Sequence, residues 1–217
     1  MKLRKPEASV FVPDGLPAED ALRRVTHLGI GAHQDDVEIM AFHGIQKCFA
    51  SRELWFGAVT CTNGAGSPRT GEYAAFSDAD MAALRRREQE KAAVLGNYGA
   101  LVQLGYPSAE VKDVGTGRLR ADLVQVLRAV RPEVVYTHNP ADKHDTHAAV
   151  ALTVVAALRE LDPGEKPETV YGCEVWRGLD WMDDADKVPL DVSRRETLSA
   201  GLIGVYDSQV EGGKRYD

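Results

Sequence analysis

Apolar positions along the 217-residue chain alternate between two arrangements. Some form short, nearly unbroken runs; others recur every three or four residues over longer stretches. The first arrangement suits strands buried on both faces, the second helices with one covered face. Val25-Thr26-His27-Leu28-Gly29-Ile30-Gly31 reads as a buried strand, and a helix over 36–49 follows it. Further strands are expected over 55–62, 100–104, 133–138 and 170–176, and further helices over 78–95, 119–130 and 146–161. Ser77 with Asp80 predicts a capping box at the start of the 78–95 helix, and Gly96 its stop. Ser193 with Glu196 predicts another, opening a last helix that runs to about Tyr206. Strands alternating with helices imply a mostly parallel sheet with helices on both faces. In such sheets, sites form at the carboxyl ends of the strands.

Composition narrows the picture without changing it. Charged residues make up 27 % and the net charge is -7, which argues against a nucleic-acid partner. No apolar stretch has the roughly 20 residues needed to cross a bilayer. No membrane insertion and a cytoplasmic location are the expectations. The three cysteines, Cys48, Cys61 and Cys173, are far apart in sequence and suit neither a disulfide framework nor a cysteine-rich zinc site. A metal here must be held by histidine and carboxylate. After Gly212-Gly213 no closing element is evident, which leaves room for a longer chain or for a second copy in a homo-oligomer.

Two strand ends carry the chemistry. The first runs into Ala32-His33-Gln34-Asp35-Asp36-Val37-Glu38, and the strand through Tyr136 runs into a loop holding His138, Asp142, His144, Asp145 and His147. Four of the six histidines thus fall in two loops, each between a strand and a helix. Histidine and aspartate are suitable zinc ligands, and three of them leave a fourth position for water. Asp35 and Asp36, being adjacent, can divide the roles of base and ligand. Gly29-x-Gly31 lies inside the strand and lacks the third glycine of a dinucleotide fingerprint, since Gln34 stands there.

Together the loops resemble those of the PIG-L/LmbE-like family of zinc-dependent de-N-acetylases, which act on N-acetylglucosamine conjugates. The first family motif, Ala-His-Pro-Asp-Asp-x-Glu, is similar to Ala32–Glu38. The second, Asp-x-His-Pro-Asp-His, is similar to Asp142-Lys143-His144-Asp145-Thr146-His147. Thr62-Asn63-Gly64, Arg85-Arg86-Arg87-Glu88, Leu95-Gly96 and Ser208-Gln209 resemble supporting motifs. The resemblance implies a single Rossmann-like α/β domain over 1–217, with an N-terminal extension over about 1–22. It implies one Zn2+ per chain on His33, Asp36 and His147, with Asp35 as general base and His144 stabilising the oxyanion or protonating the leaving amine. It also implies substrate contacts at Arg85 and Asn63, and a small N-acetylated sugar conjugate as substrate. Asp142 and Asp145 are expected to support the histidines. The chain departs from the family pattern at Gln34 (proline), Thr146 (aspartate) and Ser108 (aspartate). Loss of the acid at 146 should lower the pKa of His144 unless Asp142 or Asp145 replaces it. The competing readings are a metal-dependent phosphoesterase, which favours two metals, and a metal-binding protein without turnover.

Overall fold

In the computed structural model, which describes residues 1–216, one six-stranded sheet carries helices on both faces. The strands are β1 (Ser9–Phe11), β2 (His27–Gly31), β3 (Phe56–Thr62), β4 (Ala100–Tyr106), β5 (Val134–His138) and β6 (Thr169–Cys173). They lie in the order β1-β4-β3-β2-β5-β6, parallel except for β1, which pairs antiparallel with β4 at the edge. The N-terminal residues thus contribute a sheet edge, together with a helix, α1 (Ala18–Arg23), that their sequence pattern does not announce.

Side chains leave the strands alternately to two cores, as the period of two requires. Leu28, Ile30, Val59, Cys61, Val102, Leu104 and Val135 point to one face. There they meet α6 (Arg118–Val130) and α7 (Asp145–Arg159). Phe56, Ala58, Leu101 and Tyr136 point to the other. That face is covered by α2 (Asp36–Met40), α3 (Phe42–Cys48), α4 (Asp78–Leu95) and α8 (Glu196–Ile203). A short α5 (Ser108–Lys112) and a last α9 (Asp207–Glu211) complete the described helices. None of the described helices is long and apolar enough to cross a membrane.

The helix expected over 36–49 is two helices, broken at Ala41 (φ -111°, ψ 17°). Each makes its own close approach. Val37 of α2 fills the space above Gly29 and Gly31, where an added Cβ would come within 2.6 and 2.9 Å of its methyl groups. Gly44 of α3 lies flat against Tyr136, with 2.6 Å left for a Cβ. The paired glycines therefore seat the helix that follows the first motif. The capping box at Ser77 and Asp80 forms as expected. The one at Ser193 does not. Its hydroxyl donates to Asp191 Oδ1 at 2.6 Å, and α8 starts instead from Arg195 in a left-handed conformation. A local side-chain bond has outcompeted the cap. The chain then breaks again before α9.

His27 sits in β2 at 2 % exposure, and its Nε2 has no partner among the described residues. Burial, helped by the positive charges of Lys47 and His43, pulls its pKa down to about 4. The unfolded chain therefore binds more protons than the folded one between pH 6.5 and 4, so stability falls as pH drops through that window. The linkage is worth up to about 3 kcal/mol. Denaturant unfolding at about pH 7.5 and about pH 4.5, on either side of the ordinary histidine pKa, should show a smaller acid loss in His27→Gln than in the wild type. Equal losses would contradict this assignment.

Candidate metal centre

The sheet order makes β2 the switch point, since β3 and β4 lie to one side of it and β5 and β6 to the other. A crevice opens at such a point beyond the carboxyl ends of the strands. β2 and β5 pair directly, from His27 with Val134 to Ile30 with Thr137. The two histidine-bearing loops therefore face each other.

There, His33 Nδ1 lies 3.2 Å from His147 Nε2 and 3.3 Å from Asp36 Oδ2, and His147 Nε2 lies 3.5 Å from the same oxygen. A tetrahedral ion with ligand bonds of about 2.0 to 2.2 Å spaces its donors about 3.3 to 3.6 Å apart. The three atoms form a triangle of nearly that size, so the residues present fit a single divalent ion. His147 Nδ1 is 3.1 Å from Asp142 Oδ2, which fixes the Nδ1–H tautomer and leaves the Nε2 lone pair for the triangle. Burial, partly offset by Asp36, lowers the pKa of His147 to about 4, so the imidazole is neutral near pH 7. Burial opposes ionisation of Asp36, but the neighbouring imidazoles, His138 foremost, hold it well below the carboxylate range, and the His33 backbone N–H donates to its Oδ2 at 2.6 Å.

Asp142 is buried and organises its surroundings. It accepts the His144 backbone N–H at 2.8 Å and the Trp176 indole N–H at 3.1 Å, both on Oδ1. Asp145 is exposed in the first turn of α7. His144 caps α7, its Nδ1 accepting the Thr146 N–H at 3.3 Å, so Nε2 carries the proton. Burial and the nearby His33 lower the pKa of His144, although Asp36, Asp142 and Asp145 pull the other way. The acids nearby thus do not make up for the missing one at 146, and His144 stands as a neutral donor.

Asp35 precedes α2 at φ +99°, a left-handed conformation costly for any residue with a Cβ. Its carboxylate is 1 % exposed, with Arg85 Nη2 at 3.5 Å. Arg85 is itself 1 % exposed. It donates to the Gln34 carbonyl and, at 2.7 Å, to Glu88 Oε2. Glu88 also accepts the Ser208 N–H at 2.8 Å and hydroxyl at 2.9 Å. Arg85 is thus committed to protein partners around Asp35. Asn63 follows β3 and, with Gln34, Thr62 and Ser108, lines a cavity of about 640 Å³ that none of His33, Asp35, Asp36, His144 and His147 lines.

Several residues here carry no assignment from sequence. His138, the last residue of β5, has Nε2 2.9 Å from the Ala32 N–H and 3.2 Å from Asp36 Oδ2. Its lone pair is already engaged, whereas His33 is 23 % exposed and free to complete the triangle. Strand-end position is the available signal. Glu38, the last motif residue, is buried and accepts from Gln89, Tyr98 and Tyr206 at 2.7 to 2.8 Å. Burial raises its pKa despite those bonds. Among the described residues no cysteine belongs to a cluster that could hold a metal, and burial pushes the Cys48 and Cys173 thiols up to about 12.

Fold and centre together define a Rossmann-like α/β protein with a histidine–aspartate cluster at the switch point. The family profile described as GlcNAc-PI de-N-acetylase matches residues 28–158. This chain belongs to that family, PIG-L. No curated protein sequence matches it. Among solved structures it is similar to N,N'-diacetylchitobiose deacetylase from Pyrococcus horikoshii, with 21 % identity, TM-score 0.69, and 85 % of this chain and 70 % of that one covered. It is also similar to the conserved protein TT1542 from Thermus thermophilus (23 %, TM-score 0.64, 85 % and 80 % covered). A third is GalB, the 4-carboxy-2-hydroxymuconate hydratase from Pseudomonas putida KT2440 (18 %, TM-score 0.62, 87 % and 81 % covered). At these identities the likeness is one of fold, and the fold hosts more than one reaction.

Proposed function

We propose that the protein is a zinc-dependent hydrolase that removes an N-acetyl group from a small amino-sugar conjugate. The observation that carries this reading is the triangle of His33 Nδ1, Asp36 Oδ2 and His147 Nε2, with the buried Asp35 carboxylate next to it in the chain. The family membership supports it, and so does the deacetylase named among the similar structures.

His33, Asp36 and His147 would hold the ion. Zinc, when bound in such a site, brings the pKa of water near 7 and polarises a carbonyl oxygen. Asp35 takes a proton from the attacking water. His144 donates its Nε2–H to the oxygen that gains charge as the amide carbon becomes tetrahedral. A donor of this kind contributes about 10² to 10³ in rate. The proton gathered at Asp35 then passes to the leaving nitrogen, and the C–N bond breaks to give acetate and a free amine. Asp142 keeps His147 oriented. Arg85 acts through Asp35 rather than by touching the sugar, and Asn63 contributes to the substrate side from the cavity it shares with Gln34.

The test is acetate release from a panel of N-acetylated amino sugars, with and without a chelator. Release that is abolished by the chelator and restored by zinc supports the reading. Zinc-loaded protein that turns over none of the panel, but hydrates an unsaturated acid or cleaves a phosphoester, contradicts it.

A further inference from the structure

The C-terminal segment beyond α9 reaches the buried Asp35 carboxylate. Lys214 Nζ lies 2.6 Å from Asp35 Oδ2, and the Tyr216 hydroxyl donates to the same oxygen at 2.6 Å. We propose that Lys214 and Tyr216 are positioning residues, which fix the carboxylate of Asp35 in the orientation its work requires. This rests on the deacetylase reading for what that work is.

The local chain is built to deliver them. Helix α9 ends at Glu211, whose carbonyl accepts the Thr70 hydroxyl at 2.7 Å. Gly213 then takes φ +87°, a conformation suited to glycine, and turns the chain back. The Lys214 N–H closes this turn on the Gln209 carbonyl at 2.9 Å. Two residues apart along the chain, Lys214 and Tyr216 converge on one oxygen. The Tyr216 ring packs against the same apolar cluster that α2 and α8 share, so the segment is seated by burial as well as by charge.

Asp35 needs such support. It stands in a left-handed conformation immediately before α2, next in the chain to the ligand Asp36. Arg85 approaches the same oxygen at 3.5 Å from α4. Donors from two separate elements, α4 and the C-terminal segment, thus hold one carboxylate oxygen from different sides. Such a clamp acts on the geometry of the reacting group, and an error of about 1 Å there costs on the order of 10²-fold in rate.

The test uses the full chain with Lys214→Met, Tyr216→Phe and Lys214→Arg, reading kcat, KM and bound zinc. In the first two, kcat should fall about 10- to 100-fold, with KM and zinc content unchanged. Lys214→Arg should recover most of the lost kcat, which a purely structural role does not predict. A second readout needs neither metal nor turnover. In metal-free protein, Asp35→Asn should speed tryptic cleavage after Lys214, because the docking charge is gone. Unchanged or raised kcat in both loss-of-donor variants overturns the proposal, and so does a cleavage rate indifferent to Asp35. If the wild type releases no acetate, the deacetylase reading fails, while the cleavage experiment still decides whether Asp35 holds the segment.

Discussion

Asp35→Asn is expected to lower kcat by about 10² to 10⁴, the usual contribution of a general base, while bound metal stays at wild-type level. Asparagine keeps the size of the side chain and tolerates the left-handed backbone at this position, φ +99°. It cannot accept a proton at neutral pH. The side chain is not part of the His33–Asp36–His147 triangle, so the ligand geometry should survive. Steady-state kinetics with metal analysis on the same preparation reads both quantities. An Asp35→Asn enzyme with undiminished kcat would falsify the base assignment, and loss of metal would mean that Asp35, not Asp36 alone, serves the ion.

Arg85→Met should destabilise the fold by about 3 to 5 kcal/mol, the cost of removing one partner from a buried charge network. The guanidinium, 1 % exposed, lies between Glu88 at 2.7 Å and Asp35 at 3.5 Å. Without it the buried Glu88 carboxylate loses its cation and the Gln34 carbonyl loses its donor, while Asp35 keeps only Lys214 and Tyr216. The double variant Arg85→Met/Glu88→Gln should be less destabilised than the single one, since the orphaned charge is gone. Denaturant unfolding of both proteins measures this. A loss below about 1 kcal/mol in Arg85→Met, in the range of an exposed pair, would show that the network does not hold the α4 side of the site together.

Much of this arrangement is legible in the sequence, for identifiable reasons. Buried parallel strands leave continuous apolar runs, which makes β2, β3 and β5 visible. Helix α4 has the expected bounds because Ser77 and Asp80 form the capping box their types suggest. The two loops stand out because ligand-type side chains collect in short segments. Other features need coordinates. β1 is three residues long and joins the edge by pairing with β4, a long-range contact that no local pattern encodes. Ser193 has the right type for a cap but bonds to Asp191 instead. The family resemblance points Arg85 at substrate, and three adjacent arginines look alike in sequence. Burial separates them: Arg85 is turned inward, where its guanidinium lies 3.5 Å from Asp35. Lys214 and Tyr216 are 179 and 181 residues from Asp35 in the chain, and nothing local marks their convergence.

The most direct measurement is anomalous diffraction at the zinc edge from crystals of the zinc-loaded protein. The account predicts a single strong peak about 2.0 to 2.2 Å from His33 Nδ1, Asp36 Oδ2 and His147 Nε2. A peak elsewhere, two peaks within about 4 Å of each other, or an empty triangle in zinc-saturated crystals would contradict it.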